Sequence, residues 1–530
     1  MTKSLAQAKL KTRPDLVKLK KILSNRQKMN APLNSDLLRI YHRLKKQKKI
    51  KSNDILERLL RKREIRTLSG VAVVTVLTKP YPCPGHCLYC PGQKGMPKSY
   101  LKNEPAVMRA VLTKFDPYWQ TKVRIDALKT NGHDTGKVEL IVLGGTWSYY
   151  PKSYQNWFLK RCFDALNNKT AKTLAQAQKW NETAAGRCVG LTLETRPDYI
   201  TEEEVKRLRE LGCTRVELGA QSIYDPVLKL NKRGHNVKQI IEATKLLKTA
   251  GFKVMYHLMP NLPGSNLQKD LKMFKEIFAN PDFQPDLLKI YPCVVTKDSE
   301  LYKYYRQKKF KPYSDKQLKE MLVKIKMDLP YYVRVTRLIR DIPAESIVAG
   351  NKITNLRQLI QQELKAKDKR CKCIRCREAG HQESPKPETR NPKLFIQKYK
   401  ASDGIEYFLS IESKDRRVLY AFLRLRINND PDDNFIAELK GAAIIRELHT
   451  YGEVASLGQT LCGGQTGIVQ HLGLGKKLMA EAEKIAKQNK LKGIAVISGI
   501  GVREYYKKLG YELEGTYMIK RDRQDKRDKD

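Results

Sequence analysis

Six largely apolar runs rich in β-branched residues lie between residues 71 and 295 and alternate with amphipathic stretches. The runs are VAVVTVLTK, VELIVLGG, CVGLTLETR, RVELGAQ, KVMYHLMP and LLKIYPCVV. Two of the intervening segments, TEEEVKRLRELG and NVKQIIEATKLLKTAG, have helical spacing and end at glycine, a common helix stop. Buried strands that alternate with helices are typical of parallel βα units. The pattern predicts an α/β fold, with a complete or partial βα barrel over residues 67–342.

The hydrophobic pattern changes toward the C-terminal end of the chain. Residues 404–427 predict a strand, a polar turn and a second strand. They are followed by a strand (GAAIIRELHTYG), a glycine-rich loop, a long helix (GKKLMAEAEKIAKQN), a strand (GIAVISG), a short helix (VREYYKKLG) and one final strand (YELEGTYMIK). This order predicts a separate α+β domain over residues 393–522. Residues 343–392 are basic, proline-rich and cysteine-dense and predict a linker, and the charged tail 523–530 is expected to be disordered.

Charge adds a class of partner to this picture. The chain carries 103 Lys or Arg against 56 Asp or Glu, a net charge of +47, which favours a polyanionic partner. Residues 1–66 hold 21 of these cations against 5 acids. Leucine and isoleucine recur at helical spacing within residues 41–66, which fits either a solvated helix face or a helical region that follows nucleic-acid phosphates. The overall charge favours the second interpretation.

No apolar run approaches the ~20 residues that a membrane span needs, and residues 1–21 lack an apolar signal core. We therefore expect a soluble, cytoplasmic protein with no membrane partner. In such a reducing compartment, clustered thiols among the 11 cysteines suggest metal binding rather than disulfides.

Cys83, Cys87 and Cys90 follow the first predicted strand, in the loop KPYPCPGHCLYCPGQKG that we call the cysteine loop (residues 79–95). In βα barrels the chemistry is found at the carboxyl ends of the strands. A zinc site needs four protein ligands, or three and a water, and an iron–sulfur cluster is the other common occupant of such loops. The C-x3-C-x2-C spacing, with no nearby fourth partner, favours a [4Fe–4S] cluster with one open iron. A three-cysteine zinc loop is the alternative.

The cysteine loop, with Tyr89 before Cys90, resembles the motif of the radical S-adenosylmethionine (SAM) superfamily. The resemblance implies that SAM binds the open iron and is cleaved, by one electron, to methionine and a 5′-deoxyadenosyl radical. It also implies that Gly144 and Gly145, after the second strand, meet the amino group of SAM. Glu194 and Gln221 end later strands and are further candidate SAM contacts, with a structural role as the alternative for each.

The C-terminal domain contains a second cofactor motif. Gln470, Gly473 and Gly475 form Q-x-x-G-x-G between a strand and a helix, where glycines expose backbone N–H groups that suit a pyrophosphate. This loop resembles the acetyl-CoA loop of the GNAT acetyltransferases. The resemblance implies that Tyr506 reaches the CoA sulfur or the acyl group, and core packing is the alternative for Tyr505 and Tyr506.

Over residues 56–522 the combined motifs resemble the catalytic subunit of the Elongator complex. The motifs are RTLSGVAVVTVLTKPYPCPGHCLYCPG, LETRPD, RGH, CKCIRCRE, RELHTYG and VISGIGVREYYKKLGYELEGTYM. The resemblance implies that acetyl-CoA and the deoxyadenosyl radical convert the wobble uridine of tRNA into 5-carboxymethyluridine. The implied partners are the anticodon stem-loop of tRNA and a reductant protein for the cluster, and a homodimer is a further expectation.

The resemblance also assigns residues. Acetyl-CoA contacts carry over onto Lys137, Glu447, Leu448, His449, Thr450, Leu474, Gly475, Lys476 and Tyr506, of which Lys137 and Tyr506 are the candidate catalytic residues. Thr450 stands where valine is common in the family, and the cysteine spacing is shorter than in eukaryotic members. Cys371, Cys373 and Cys376, which we call the thiol triad, resemble the family's zinc site, whose fourth ligand here is unknown: His381 or a remote residue.

Two other functions fit parts of the sequence. A protein lysine acetyltransferase with a structural iron–sulfur barrel would explain the glycine loop but not the open cluster or the charge. A tRNA-binding scaffold with decayed sites would explain the charge but not the intact cysteine and glycine motifs.

Overall fold

The computed structural model describes residues 1–8, 10–61, 67, 69–379, 392–451, 453–454, 468–470 and 473–521. Three predictions lie outside the described residues: the disordered tail 523–530, His381 as a zinc ligand, and the side chain of Gln470.

The first 60 residues form a small helical unit with its own core. Its helices are α1 (Thr2–Gln7), α2 (Arg13–Arg26), α3 (Asn34–Lys46) and α4 (Asp54–Leu60). Leu5, Leu37, Tyr41 and Leu56 are fully or almost fully buried in that core. The helical region predicted from residue 41 onward is two helices, because the chain turns between α3 and α4 and the Asn53 side chain caps α4. Most of the lysines and arginines are left exposed on the outside of this unit.

The predicted barrel is a half-barrel of seven parallel strands among the described residues, hydrogen-bonded in chain order. The strands are β1 (Ala72–Leu77), β2 (Lys137–Leu143), β3 (Arg187–Thr195), β4 (Arg215–Gln221), β5 (Lys253–Leu258), β6 (Leu287–Ile290) and β7 (Arg334–Arg337). The six predicted strands are confirmed, and β7 was missed. Its sequence RVTR has only one buried residue, Val335, so no apolar run marks it.

Helices cover the outer face of this sheet. They are α5 (Pro105–Leu112), α6 (Pro117–Thr130), α7 (Lys152–Asn167), α8 (Leu174–Asn181), α9 (Glu202–Glu210), α10 (Asp225–Leu230), α11 (Val237–Thr249), α12 (Leu267–Ala279), α13 (Leu301–Arg306) and α14 (Asp315–Asp328). As predicted, α9 and α11 end just before glycines, Gly212 and Gly251, which adopt φ of +86° and +85°. In the segment predicted as a linker, α15 (Leu356–Ala366) and α16 (Ile374–Arg377) bury Ile360 and Ile374 in the same core as the barrel. The domain boundaries themselves stay a prediction.

The C-terminal domain is built on a mixed sheet. Its elements are β8 (Lys393–Lys400), β9 (Gly404–Glu412), β10 (Leu419–Asn428), β11 (Ala442–Thr450), β12 (Glu453–Val454), β13 (Ile468–Gln470), α17 (Leu474–Gln488), β14 (Gly493–Val496), α18 (Arg503–Lys507), β15 (Glu512–Glu514) and β16 (Tyr517–Arg521). The order of the main sheet is β15-β16-β14-β11-β10-β9-β8, with β11 and β14 parallel and the other neighbours antiparallel.

The predicted hairpin, strands and helices of this domain are confirmed, with two differences. Strand β8 was missed because its side chains are exposed or half-buried and give no apolar run. The prediction of one final strand is wrong, because YELEGTYMIK forms two strands that turn at Gly515. Gly515 has φ of +54°, and a Cβ there would lie 1.7 Å from a carboxylate oxygen of Glu438.

The two domains meet through a buried charge network centred on Arg446 of β11. Its guanidinium donates to Asp286 at 2.5 Å, to Glu406 at 2.8 Å and to the carbonyl of Phe252 at 2.5 Å. Lys248 lies 3.8 Å from Asp286 and 3.7 Å from Glu406. Asp286, Lys248 and Phe252 belong to the barrel, so charged groups from both domains neutralise one another inside the interface.

Backbone packing brings the domains closer still. A Cβ at Gly499, which follows β14, would lie 2.2 Å from the carbonyl oxygen of Val189 in β3. This close approach seats the C-terminal domain directly against the amino-terminal half of the barrel strand. None of the helices in the described part of the chain has the length and apolarity needed to cross a membrane.

Candidate active site

The cysteine loop leaves the carboxyl end of β1, as predicted, and its three thiols are half-buried. Arg233 donates a hydrogen bond to the Sγ of Cys87 at 3.0 Å. Burial, with the charge of Cys87, raises the pKa of the Cys90 thiol to about 11. Three half-buried thiols on one short loop suit a cluster in which each cysteine binds a different iron.

The residues predicted to contact SAM lie at the same edge. Gly144 and Gly145 have φ of +136° and +104°, and a Cβ at Gly144 would lie 1.8 Å from the hydroxyl oxygen of Thr78. This turn therefore requires glycine and brings bare backbone N–H and C=O groups beside the cysteine loop. Gln221 adopts φ of +68°, and its buried Oε1 has no hydrogen-bond partner among the described residues.

Glu194 sits at the carboxyl end of β3, where Tyr100 donates to it at 3.1 Å and His257 lies 3.6 Å away. The glycine turn, an unpaired buried acceptor and a carboxylate thus converge near three thiols. The acceptors suit an amino group, and the exposed backbone N–H groups of the glycine turn suit a carboxylate. Together with the thiols, this set of groups fits a cluster and a ligand that carries both.

Charged side chains continue through the interior of the half-barrel. Glu217 of β4 contacts Lys289 of β6 and accepts from His257 of β5 at 2.8 Å. Burial alone would raise the pKa of Glu217, but Lys289 and His257 hold it well below the usual range. Nearer the amino ends of the strands, Arg215 and Glu139 pair at 2.5 Å. The inside of the sheet is thus lined by paired ions.

A cavity of about 660 Å³ lies between the two domains, at the amino ends of the barrel strands. It contains the described residues predicted to contact acetyl-CoA: Lys137, Glu447, Leu448, His449, Thr450, Gly473, Leu474, Gly475, Lys476 and Tyr506. Residues of the barrel and of the C-terminal domain thus line the same cavity. This brings Lys137 of the barrel to the other residues that the sequence analysis grouped with it. The cysteine loop is at the opposite edge, and β2 with its seven residues separates the two edges by roughly 20 Å.

Most of the barrel strands, which begin at this cavity, have Lys or Arg as their first residue. Lys137, Arg187, Arg215, Lys253 and Arg334 are the first residues of β2, β3, β4, β5 and β7, and all but Arg187 line the cavity. Three of them are paired with glutamates that also line the cavity, Arg215 with Glu139, Lys253 with Glu447 and Arg334 with Glu378, and a row of Lys and Arg side chains is a feature that suits the phosphates of a nucleotide cofactor. The sequence analysis missed Arg215, Lys253 and Arg334. The Lys or Arg that begins the predicted strands RVELGAQ and KVMYHLMP could have identified Arg215 and Lys253, whereas Arg334 begins β7, which was not predicted.

Within the cavity, Glu447 is held in ion pairs and His449 is not. Burial alone would raise the pKa of Glu447, but Lys253 at 3.6 Å and Arg424 at 2.9 Å lower it to about 2. Burial lowers the pKa of His449, so its ring is neutral, and its buried Nε2 has no hydrogen-bond partner among the described residues. The centroid of the His449 ring lies 4.4 Å from that of the Tyr451 ring, with the two rings tilted by 42°.

The glycine loop meets two tyrosines. Gly473 caps α17 with φ of +76°, and among the described residues no atom lies within 4 Å of a Cβ built there, so none of them covers this helix N-terminus, where backbone N–H groups can meet an anionic ligand. A Cβ at Gly475 would lie 3.0 Å from the hydroxyl of Tyr505. Tyr506 is 6% exposed, and burial raises its pKa, so its hydroxyl stays protonated. Both tyrosines line the cavity, and Tyr505 is an additional candidate that the sequence analysis assigned only to packing.

The thiol triad is compact. Its three Sγ atoms lie within 4.8 Å of one another, a spacing that one metal ion can bridge. Lys326 is fully buried beside it, with its ammonium 3.5 Å from the Sγ of Cys376. Burial alone would lower the pKa of Lys326, but the neighbouring thiols raise it. Three thiols beside a buried cation fit a thiolate metal site of structural type.

Comparisons with known proteins agree with this geometry. The Radical SAM superfamily model matches residues 81–277, and the Radical_SAM C-terminal domain model matches residues 285–366. The chain is similar to "tRNA uridine(34) acetyltransferase" of Methanocaldococcus infernus, 48% identical over 92% of this chain and 91% of the relative. It is also similar to human "Elongator complex protein 3", 40% identical over 87% of this chain and 86% of the relative.

A solved structure is similar over the same range. Archaeal Methanocaldococcus infernus Elp3 with an N-terminal deletion (1–46) superposes with a TM-score of 0.75 at 46% identity. The match covers 86% of this chain and 100% of that chain.

Proposed function

The chain belongs to the family of the Elongator catalytic subunit, and from that premise we propose that it is an acyltransferase that modifies the wobble uridine of tRNA. The coarse activity follows from relatives named tRNA uridine(34) acetyltransferase at 45–48% identity and from the radical SAM domain. The finer proposal is that acetyl-CoA and SAM are the co-substrates and 5-carboxymethyluridine is the product.

One observation carries the proposal: a single half-barrel has the cysteine loop at one edge and a cavity shared with the acetyltransferase-like domain at the other. When bound, the cluster and SAM supply a deoxyadenosyl radical that can remove a hydrogen atom from a carbon. Arg233 would stabilise the Cys87 thiolate, and Gln221 would accept a hydrogen bond from the amino group of SAM. A barrel that served only as a scaffold would need none of these groups.

At the cavity, the strand-opening cations would bind the CoA phosphates while the N-terminus of α17 receives the pyrophosphate. Tyr506, protonated and buried, would donate a hydrogen bond at the sulfur or the acyl group. The roughly 20 Å between the edges means that the acetyl group must move before it meets the radical. Glu139 and Arg215 line the side of the cavity that faces the barrel.

The remaining components follow from the same proposal. Zinc would occupy the thiol triad and hold α16 against the barrel. A reductant protein would supply the electron that SAM cleavage requires. A homodimer stays a prediction.

The test is product formation from labelled acetyl-CoA. Anaerobically reconstituted protein would be incubated with tRNA, SAM, a reductant and acetyl-CoA labelled with ¹³C in the acetyl group, and the nucleosides analysed by mass spectrometry. We expect labelled 5-carboxymethyluridine that depends on both SAM and acetyl-CoA. Acetylation of lysine peptides without SAM, and no labelled uridine, would favour the protein acetyltransferase instead.

Replacing Lys137 with alanine is expected to reduce carboxymethyluridine formation strongly. Lys137 is half-buried in the cavity, where burial lowers its pKa. A charge-assisted contact is worth about 1.5–3 kcal/mol, so the loss should be on the order of tenfold or more. Product would be measured at saturating SAM and limiting acetyl-CoA. Lys129→Ala, an exposed lysine in the last turn of α6, is the matched control. A wild-type yield from Lys137→Ala would remove this residue from the acetyl-CoA site.

Deleting residues 1–60 is expected to weaken tRNA binding and to flatten its salt dependence. The deletion removes the whole helical unit with its own core, whereas a shorter deletion would expose the buried face of α4. Log affinity falls as log salt rises, and each lost phosphate contact makes this slope shallower by about 0.9 for a duplex. Affinity would be measured between low and physiological salt, with acetyl-CoA binding as the control for folding. An unchanged slope would show that this unit does not contact the RNA.

A further inference from the structure

Five tyrosines pack against one another beside the cysteine loop. This tyrosine cluster consists of Tyr81, Tyr149, Tyr150, Tyr154 and Tyr199. Tyr81 follows β1, Tyr149 follows β2 and Tyr199 follows β3, so three consecutive strands contribute at their carboxyl ends. The ring centroids of Tyr81 and Tyr149 are 5.9 Å apart, and those of Tyr149 and Tyr199 are 6.0 Å apart.

The inner and outer members of the cluster differ. Tyr150 is buried, stacks on Tyr81 at 4.8 Å and shares hydrogen bonds with Thr78 and the Lys79 carbonyl. The Tyr154 hydroxyl accepts from the Lys79 amide at 3.0 Å. These inner tyrosines support the loop after β1.

The outer members are Tyr81, Tyr149 and Tyr199, and their hydroxyls have no hydrogen-bond partner among the described residues. Tyr149 is 39% exposed, and Tyr81 and Tyr199 are partly exposed. Packing of the core does not account for three aromatic rings that face solvent together. They form a preorganised aromatic surface on the inner pair.

This surface borders the site of chemistry. Tyr81 lies two residues before Cys83, and the Cys83 Sγ is 3.9 Å from the hydroxyl of Thr146, which begins the turn that carries Tyr149. A ligand seated on these rings would therefore be next to the cysteine loop. Cations flank the surface: the Lys79 ammonium lies 4.9 Å from the centre of the Tyr154 ring, and Lys152 is exposed at the start of α7.

Aromatic rings beside cations, on a chain of net charge +47, suit a polyanion that also presents flat apolar faces. Unpaired RNA bases have this chemistry, because every base has a face that stacks on an aromatic side chain whatever its sequence. A protein partner would not need rings arranged around a common edge.

We propose that Tyr81, Tyr149 and Tyr199 form a stacking surface for the unpaired nucleotides that flank the target uridine. The inference rests on the proposed function and adds to it the element that recognises the loop of the RNA. Stacking on the flanking bases holds the loop open, so that the uridine can turn toward the carboxyl edge of the barrel. The enzyme then recognises an unpaired loop rather than a particular neighbouring sequence.

The test compares two RNAs and three variants of the reconstituted holoenzyme. The RNAs are an anticodon stem-loop and a fully paired duplex of equal length, and binding is followed by fluorescence anisotropy. Tyr149→Leu should weaken stem-loop binding about tenfold, equivalent to ~1.4 kcal/mol, and leave duplex binding and the salt slope unchanged, since no phosphate contact is lost. Tyr149→Phe should bind as wild type does, because the ring and not the hydroxyl stacks.

Trp119→Leu is the matched control, because Trp119 is 53% exposed and its one ring contact among the described residues is with Tyr118. As a second measurement, 2-aminopurine placed next to the target uridine should be quenched on binding to the wild type and not to Tyr149→Leu.

Equal stem-loop affinity and equal quenching in Tyr149→Leu and the wild type would overturn the stacking surface while leaving the proposed function intact. The same result with slower reduction of the cluster by a protein reductant would assign the surface to that partner instead. Failure of the wild type to bind any tRNA would overturn the proposed function and this inference together.

Discussion

Cys87→Ala is expected to abolish SAM cleavage and to leave acetyl-CoA binding nearly unchanged. The thiol lies at the carboxyl edge of the half-barrel, roughly 20 Å from the cavity proposed for acetyl-CoA at the other edge. The substitution removes one of the three proposed cluster ligands, and it also removes the Sγ atom that accepts a hydrogen bond from Arg233 at 3.0 Å. Cluster absorption, 5′-deoxyadenosine release and acetyl-CoA calorimetry would be measured on the same preparation.

Cys162→Ala is the control, because Cys162 is fully buried in α7, outside the cysteine loop and the cavity lining, and loses packing and a hydrogen bond to the Pro117 carbonyl. SAM cleavage by Cys87→Ala would remove Cys87 from the cluster. Loss of acetyl-CoA binding in a folded Cys87→Ala protein would contradict the placement of the two cofactors at opposite edges.

Asp286→Asn is expected to destabilise the protein by about 3–5 kcal/mol, because it leaves buried cations without their counter-charge. Asp286 is fully buried and pairs with Arg446 at 2.5 Å across the domain interface. Burial alone would raise the pKa of Asp286, but Arg446, Lys248 and Arg424 hold it well below its usual value of 3.8. Thermal and denaturant unfolding would measure the loss. Asp432→Asn breaks a pair with Lys492 in which both side chains are more than half exposed, and it should cost less than about 1 kcal/mol.

The pH dependence of this effect has a definite sign. A carboxyl whose folded pKa is lowered stabilises the fold above its unfolded pKa, and this contribution is lost as the pH falls through the folded pKa. The gap between the wild type and Asp286→Asn should therefore be full at neutral pH and shrink below pH 3.8. A gap that did not change with pH would mean that the charge of Asp286 does not contribute to stability.

Most of the barrel could be predicted because each of its first six strands packs apolar side chains that are adjacent in the sequence. Strand β7 could not be predicted, because Val335 is its only buried residue. Its two arginines stand at the first and last positions of the strand and are half-buried. The N-terminal cations predicted one basic helical region. The structure has two helices there, because a leucine core formed with α1 and α2 decides where the chain turns.

The candidate site also has parts that the sequence predicted and parts that only the structure revealed. The cysteine loop, the glycine pair and the glycine loop are contiguous motifs, so sequence spacing was sufficient to identify them. Arg215, Lys253 and Arg334 come from three different strands and meet only where parallel strands begin at one edge. The tyrosine cluster likewise joins residues from three loops, and none of its members stands out alone.

By itself, the sequence determined which chemical groups this protein has: three loop thiols, two glycine-rich turns, a thiol triad and a strongly basic surface. Only the tertiary structure decided that the two candidate cofactor sites occupy opposite edges of one half-barrel. That arrangement depends on contacts between residues far apart in the chain, such as Arg446 with Asp286 and Gly499 against Val189. Buried charges must be paired and backbones can approach closely only where no side chain intervenes, so such partners are selected by the folded packing and not by local pattern.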